Sequence, residues 1–413
     1  MSSSNNPSGK NQHKDCPPPN DQRVEEILRE YHRKGITARK QISKMLMKEG
    51  IKMSEATVTR RRKDLGLLGS GTATRITPEI VRRQLVVDQM SKDPSSSAGP
   101  RTVRERIAFD TGILLTRDYI TDEMRIQDPE GFRKREPEGK KVHRTQLISL
   151  GIHHEWSADG HDKLSQIGFP IWGVRDKYSG KWLGLWVVPN NRLKDAIGYL
   201  YLSLVKELGG MPLQSTTDCG SETVLMYALA NALREFFSPD LDLDELAAHK
   251  FLKSIYNITI ERGWYRLRIS WGDNVKIFWA AGSEVYNSTN TCHFNLVQWL
   301  WPKLIQQELD EFRERANAHT TRFDREKQIP SGVSPDVAFA LFEDYGGEDC
   351  LQPVDINVVQ SLMEEIGGED LIRFVSVEYA DRAQNVYDTL GIQKLSFQNV
   401  WDVFSAMLPY FLE

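Results

Sequence analysis

Apolar side chains recur at three- and four-residue intervals between residues 21 and 70, which predicts three short helices. The first runs through Val24 and Tyr31, and Gly35 ends it. Ser54 is a candidate cap for the third helix. Three short helices in this order are typical of a helix-turn-helix module, in which the last helix enters the major groove of DNA.

The third predicted helix carries a run of basic residues. We expect Val58 to face the core while the basic side chains face outward and contact DNA: Arg60, Arg61, Arg62 and Lys63. The alternative is a small helical bundle whose basic face is only solvated. We favour DNA binding, because the basic run falls on the helix that would read the groove.

Residues 76–130 predict a second helical module, after a linker rich in Gly and Thr at residues 69–77. Its arginine content suggests a second helix-turn-helix-like unit, and a spacer bundle is an open alternative. Residues 131–150 predict a basic linker, for which nuclear import, a phosphate contact and plain solvation all stay open. The polar, proline-containing residues 1–20 predict a disordered leader.

Strand-like and helical segments alternate beyond residue 150. Three strands in hairpin order are followed by a helix, a strand and a helix, which predicts an α/β, ribonuclease H-like fold with a mixed sheet at residues 151–340. Residues 254–260 are also strand-like, and residues 238–250 predict an acidic surface insertion. Residues 341–413 predict an acidic helical tail, which forms either a surface for a partner or an oligomer, or a cap on the preceding domain.

The formal net charge of −4 conceals a strong asymmetry along the chain. The first 150 residues carry a net charge of +10 and the remainder −14, so a polyanionic partner is expected near the front. No apolar run approaches the roughly 20 residues that span a bilayer, so we expect no membrane segment. None of the four cysteines lies in a CxxC pair, and Cys292 beside His293 is at most half of a metal site, so a structural zinc site is not expected.

Three acidic residues fall at the ends of predicted elements. Asp159 closes the first strand, Asp218 closes a later strand, and Glu261 opens the helix that follows. In a sheet of this topology the first and fourth strands are neighbours, so the two aspartates are expected side by side with Glu261 facing them. Three carboxylates suit Mg²⁺ or Mn²⁺, and two such ions would support an in-line displacement at phosphate.

The alternative for these acids is that they cap helices and strand ends, as aspartates commonly do. Four other carboxylates are rivals for a place in the site, and each is more typical of a solvated or capping group: Asp162, Asp176, Glu222 and Asp273. His161 is a candidate phosphate contact or a structural residue.

The segments SADGHDK, TTDCGSE and NITIERGWYRLR resemble the three acidic blocks of DDE integrases and transposases, especially the integrase-core proteins repeated in mushroom-forming fungi. The resemblance extends over roughly residues 151–341, through the helix FNLVQWLWPKLIQQELDEFRERANAHTTR and the motif QIPSGVSPDVAF. It implies that Asp159, Asp218 and Glu261 are the catalytic and metal-binding carboxylates. The interval from Asp218 to Glu261 is longer than in retroviral integrases, which we assign to the predicted acidic insertion.

The same resemblance implies that the neighbours of Glu261 shape the start of its helix and the DNA groove: Asn257, Arg262 and Trp264. The expected function is metal-dependent cleavage and strand transfer at the ends of a mobile element, by a nuclear enzyme that assembles as a homo-oligomer on double-stranded DNA. Two alternatives stay open. One is a DNA-binding regulator that kept the fold but no longer cuts, and the other is a ribonuclease H-like nuclease that hydrolyses without joining.

Overall fold

The computed structural model describes residues 16–93, 96–129, 147–243, 246–252 and 257–412. Most of the predicted leader and most of the basic linker lie outside these ranges. Within them, no helix is both long and apolar enough to cross a membrane.

The first module contains the three helices that the apolar spacing predicts: α1 (Gln22–Arg33), α2 (Arg39–Lys48) and α3 (Glu55–Asp64). The side chains of Asp21 and Ser54 cap α1 and α3 by accepting hydrogen bonds from backbone N–H groups of the first turn. The apolar faces of the helices share one core with residues 333–341, so the module is packed against a later part of the chain.

The second module contains four helices: α4 (Ser70–Ile76), α5 (Glu79–Ser91), α6 (Pro100–Thr111) and α7 (Arg117–Gln127). The predicted linker at residues 69–77 is therefore mostly a helix, and that prediction was wrong. Its threonines form hydrogen bonds within the helix: the hydroxyls of Thr74 and Thr77 each donate to the backbone carbonyl four residues earlier. The Thr74 hydroxyl also accepts from the backbone N–H of Thr116, which fixes α4 against α7.

A five-stranded sheet forms the centre of the remaining chain. Its strands are β1 (Glu155–His161), β2 (Ile171–Asp176), β3 (Trp182–Val187), β4 (Gln214–Asp218) and β5 (His249–Leu252). The order across the sheet is β3-β2-β1-β4-β5; β1, β2 and β3 are antiparallel, and β4 runs parallel to both β1 and β5. This is the mixed sheet of the predicted ribonuclease H-like fold.

The last strand lies earlier than predicted. Residues 253–256 lie outside the described ranges, but Ile258 already begins α10 (Ile258–Leu267), so the prediction of a strand at residues 254–260 was wrong. The β-branched run Ile-Thr-Ile favours a strand by propensity alone. Here Thr259 and Ile260 instead bury their side chains on the first turn of a helix. The edge strand β5 begins within the residues that we assigned to an acidic insertion.

Helices cover both faces of the sheet because strand residues alternate between two apolar cores. One core contains α8 (Lys194–Leu208) and α9 (Val224–Phe237). The other contains α10, α11 (Asp273–Ala280) and the long helix α12 (Thr291–Ala318). A π-helical segment, Arg268–Gly272, joins α10 to α11.

The C-terminal residues form α13 (Pro335–Ala340), α14 (Ile356–Glu365), α15 (Val377–Thr389) and α16 (Val400–Met407). Val359 is buried in the first core, and Phe404 is buried in the second. The segment predicted as a tail is thus packed on the sheet domain, which favours the cap over a surface for a partner.

Candidate active site

Asp159 and Asp218 lie on adjacent parallel strands of the sheet. The strands β1 and β4 pair Glu155 with Gln214 and Ser157 with Thr216, and the same offset places Asp159 level with Asp218. Asp218 is the last residue of β4, whereas β1 continues two residues beyond Asp159. The sheet therefore places the first two predicted acids side by side.

Glu261 lies on the first turn of α10 and is exposed. Partial burial, and next the negative charge of Asp218, raise its pKa above the ordinary value. Because Glu261 lines the same groove as Asp159, α10 brings the third predicted acid to the same region of the molecule.

The pKa of the Asp159 carboxyl is strongly shifted. Burial raises its pKa to about 7, and the charges of Asp218 and Glu261 add to the rise. Two hydrogen bonds act in the opposite direction: the indole N–H of Trp264 donates to Oδ2 at 3.0 Å, and the backbone N–H of Gly160 also donates to the carboxylate. The site thus holds repelling negative charge in a partly desolvated place, which is common at functional sites.

Two polar contacts fix the first turn of α10 on the sheet. Asn257, which is buried, accepts a hydrogen bond from the Ser157 hydroxyl and donates to Ala158 O at 3.3 Å, so it binds the residues just before Asp159. Arg175 of β2 donates to Thr259 O at 2.6 Å. These contacts hold the helix that carries Glu261 against β1, which carries Asp159, and against its neighbour β2.

A close approach between α10 and the sheet depends on glycine. A Cβ at Gly263 would lie 2.5 Å from the ring of Trp182 and 2.8 Å from Cδ of Arg175. A Cβ at Gly173 would lie 2.6 Å from the ring of Trp264. The two tryptophan rings, whose centroids are 5.0 Å apart, fill the space that the missing side chains leave. The resemblance pointed to Asn257 and Trp264, but the roles of Arg175, Gly173 and Gly263 follow only from the packing.

A groove of about 550 Å³ opens beside Asp159 and Glu261. His161 lines it with its ring stacked on Trp264, the centroids 4.9 Å apart and the planes inclined by 19°. Burial lowers the pKa of His161 to about 4, so the ring is neutral, and within the described part of the chain its Nε2 has no hydrogen-bond partner. Lys163 and Arg268 also line the groove, which gives it basic groups beside the carboxylates.

Of the rival carboxylates, Asp162 lines the same groove as Asp159 and Glu261, whereas Asp176 and Asp273 lie elsewhere. Asp162 accepts hydrogen bonds from Asn191 and Arg192, both at 2.8 Å, and these partners lower its pKa. Asp176 is fully buried and accepts from the backbone N–H of His153 and from Ser179, so it holds the turn after β2. Asp273 is exposed at the start of α11.

The four consecutive basic side chains of α3 point in different directions. Arg60 and Lys63 are exposed, but Arg61 is buried and donates to the carbonyls of Pro17 and Pro19, so the prediction that Arg61 faces outward to DNA was wrong. Arg62 is half-buried and donates to Thr37 O at 2.5 Å. Four consecutive residues span more than one helical turn, and therefore they cannot share a face.

The exposed residues of α3 are spaced mainly by three and four: Ala56, Thr59, Arg60, Lys63 and Asp64. Helical periodicity could have identified this set from the sequence. Arg262, the other predicted DNA contact, is half-buried on α10 one residue after Glu261.

Among the described residues, no three His, Cys, Asp or Glu side chains are gathered closely enough to hold a metal ion. The donor set nevertheless fits one. Burial, and next the negative charge of Asp218, raise the pKa of both Asp159 and Glu261, and a cation bound there would offset the repulsion between these carboxylates. Carboxylate oxygens are the ligands that Mg²⁺ and Mn²⁺ prefer. Binding would require these side chains to turn toward a common point.

Residues 152–333 match a protein family described as the integrase core domain. The match begins just before β1 and ends just before α13, so it includes the whole sheet and all three acids. No curated protein matches the chain.

Proposed function

We propose that this chain, whose residues 152–333 match the integrase core domain family, is an integrase or transposase that cuts DNA at the ends of a mobile element and joins them to a target. The family is of the polynucleotidyl-transferase type. The observation that carries the proposal is that, within the matched residues, Asp159 and Asp218 lie level on neighbouring strands and Glu261 lines the same groove as Asp159.

In this proposal the three carboxylates hold two divalent cations, Mg²⁺ or Mn²⁺. Bound there, the ions would activate the attacking hydroxyl and stabilise the leaving 3′ oxygen. The protein supplies the position of the ligands: Trp264 holds Oδ2 of Asp159, and Asn257 binds the start of α10 to β1. The neutral ring of His161 and the side chains of Lys163 and Arg268 form the groove wall along which a DNA strand would pass.

DNA recognition is assigned to the first helical module. Arg60 and Lys63 lie on the exposed face of α3, where they can meet phosphates and base edges, and Arg262 can contact DNA beside the site. Arg61 and Arg62 support α3 through contacts within the protein. We further propose that the enzyme works in the nucleus, where its DNA substrate lies, and assembles as a homo-oligomer on DNA.

The test is a cleavage and strand-transfer assay with the full chain, Mg²⁺ or Mn²⁺, and labelled duplexes that carry the terminal sequences of the element. Wild type is expected to nick and join these duplexes only with the metal. The three variants Asp159→Asn, Asp218→Asn and Glu261→Gln are each expected to lose at least about 10³-fold in rate while still binding the duplex, because each removes one anionic ligand.

Glu222→Gln is the matched control, since Glu222 is a half-buried carboxylate four residues after Asp218. It is expected to keep full activity. If Glu222→Gln were inactive and Glu261→Gln active, the third ligand would be Glu222. Specific duplex binding with no metal-dependent cleavage by wild type would contradict the enzymatic proposal and favour the DNA-binding regulator, and cleavage without joining would favour the nuclease.

A further inference from the structure

The second helical module contacts the π-helical segment that follows α10. The hydroxyl of Ser97, in the loop before α6, lies within hydrogen-bond distance of the backbone carbonyl of Ile269 and 3.2 Å from Oδ1 of Asp93. Ile269 belongs to the segment Arg268–Gly272. A side chain of the second helical module is therefore hydrogen-bonded to the backbone that immediately follows, along the chain, the helix carrying Glu261.

Asp93 extends this contact to the far end of the π-helical segment. Its Oδ1 accepts a hydrogen bond of 3.0 Å from the side-chain amide of Asn274 in α11, and its Oδ2 accepts one of 2.6 Å from the backbone N–H of Ala98. Asp93 and Asn274 are each only 4% exposed. Buried, charge-assisted hydrogen bonds of this kind are strong, and a partner left without them is costly. We call this group, formed by Asp93, Ser97, Ile269 O and Asn274, the π-segment contact.

The same module has a separate contact with α12. Arg101 donates to the backbone carbonyl of Thr320, and His319 lies 2.5 Å from the carboxylate of Glu105. These groups dock α6 on the end of α12. The second module thus makes two sets of hydrogen bonds with the sheet domain, one to the segment that follows α10 and one to the end of α12.

The π-helical segment makes the direction of α10 depend on its neighbours. A π-turn interrupts the regular i to i−4 ladder, so the helices on either side are less rigidly coupled than in a continuous α-helix, and such turns often lie at functional sites. Glu261 is eight residues before Ile269, which is about 12 Å along a helix at about 1.5 Å per residue. A small rotation about the segment would therefore displace Glu261 relative to Asp159.

We propose that Asp93 and Ser97 are positioning residues for Glu261: by holding the π-helical segment from the second helical module, they fix the orientation of α10 over the sheet. This inference rests on the proposed function only in its consequence for catalysis. Its structural part, that the second module restrains α10, does not depend on the proposed function and is tested separately. The second module then serves the active site directly, whether or not it also binds DNA.

The experiment compares four full-length variants with wild type: Ser97→Ala, Ser97→Thr, Asn274→Ala and the matched control Arg101→Ala. Backbone hydrogen–deuterium exchange over residues 258–267 is measured first. Ser97→Ala and Asn274→Ala are expected to raise exchange in α10 at least about tenfold, since restraints on the segment are lost. Ser97→Thr keeps the hydroxyl and is expected to restore protection. Arg101→Ala removes the contact with α12 and a positive charge that repels Arg266 of α10, while the hydrogen bonds of the π-segment contact stay intact, so exchange in α10 is not expected to rise.

Strand cleavage is then measured on the same variants. A misplacement of about 1 Å can cost about 100-fold in rate, so Ser97→Ala is expected to lower kcat about 10- to 100-fold with less than about a twofold change in KM for DNA. Equal exchange in α10 for Ser97→Ala and wild type would overturn the proposal, as would an equal increase in Arg101→Ala. Raised exchange in a chain whose wild type cuts no DNA would leave the restraint in place and overturn only the proposed function.

Discussion

The helices α3 and α10 both carry charged residues toward the expected DNA, but they are supported in different ways. On α3, two of four consecutive basic side chains turn inward and bind backbone carbonyls of the loops around them. On α10, the inward residues contain no charge, and glycine and tryptophan fit the helix against the strands. The first support is made of the guanidinium groups of α3 itself, while the second is made of closely packed backbone and rings together with Arg175, which reaches α10 from β2.

This difference predicts that the two helices tolerate substitutions to different degrees. A guanidinium that binds loop carbonyls can be lost with a limited change in stability, because partly solvated carbonyls can turn to water. A helix that approaches a sheet through glycine cannot accept one more carbon atom without moving. The position of Glu261 should therefore be more sensitive to small changes than the position of the α3 face.

The largest effect is expected for Gly263→Ala. The new methyl group would lie 2.5 Å from Trp182 and 2.8 Å from Arg175, so α10 must move away from the sheet. We expect a loss of about 1–3 kcal/mol in the free energy of unfolding and at least about a 100-fold loss in cleavage rate. Urea denaturation and the cleavage assay measure the two effects.

Gly71→Ala is the control for this change, because Gly71 lies in α4 with open space around its position. Alanine there is expected to be neutral or to stabilise by about 0.5–1 kcal/mol. Full activity in Gly263→Ala would show that α10 has more room than its packing indicates.

A smaller overall effect is expected for Asp159→Asn, whose change in stability depends on pH. Its pKa is about 7 in the folded protein against 3.8 as the ordinary value, so the folded state binds the proton more tightly. Stability from this group is therefore full at low pH and declines as pH rises from about 4 to 7. In EDTA, the free energy of unfolding of Asp159→Asn is expected to rise relative to that of wild type as pH increases through this window. The expected rise is on the order of 1–3 kcal/mol.

The measurement is urea denaturation of wild type and Asp159→Asn from pH 4 to pH 9. Titrating groups distant from the site are common to both proteins, so the difference between them reports Asp159 together with its coupling to Asp218 and Glu261. A difference that stays constant with pH would mean that this carboxylate is no harder to ionise in the folded protein than in the unfolded chain.

Arg61→Ala tests the support of α3. It removes two hydrogen bonds to the carbonyls of Pro17 and Pro19, and we expect a loss of about 1–2 kcal/mol in the free energy of unfolding. Arg60→Ala is the adjacent control, with an expected change within about 0.5 kcal/mol because its side chain is exposed. If the two variants unfolded at the same urea concentration, the buried and the exposed arginine would contribute equally to the free energy of unfolding.

The sequence predicted most of the fold and the three acids, for a physical reason. Helical and strand periods are local, and the order of elements limits the ways in which a mixed sheet can form, so Asp159 and Asp218 could be placed on neighbouring strands in advance. The β-branched residues 258–260 misled the prediction, because their side chains are buried by tertiary packing that local propensity does not contain.

The contacts that hold the site could not be predicted in this way. Arg175 and Gly263 lie on different elements, and their relation to Thr259 and Trp182 exists only after the helix packs on the sheet. The direction of Arg61 was available from helical periodicity, yet its carbonyl partners lie in a segment expected to be disordered. Adjacency of charge along the chain was thus a poor guide to adjacency in space.

The smallest effect on folding is expected when Arg60 and Lys63 are both replaced by Ala. Both are exposed on one face of α3, so the free energy of unfolding should change by less than about 0.5 kcal/mol. If that face binds phosphates, duplex affinity should fall about three- to tenfold at physiological salt, and the slope of log K against log salt should decrease by about two, because two fewer counterions are released. The matched control is the double change of Arg117 and Arg125 to Ala on α7, whose exposed face mixes these arginines with aspartates and is therefore a weak site for a polyanion. Titrations of a labelled duplex at several salt concentrations measure both variants. A larger loss of slope in the α7 variant than in the α3 variant would reverse the assignment and make the second helical module the one that binds DNA.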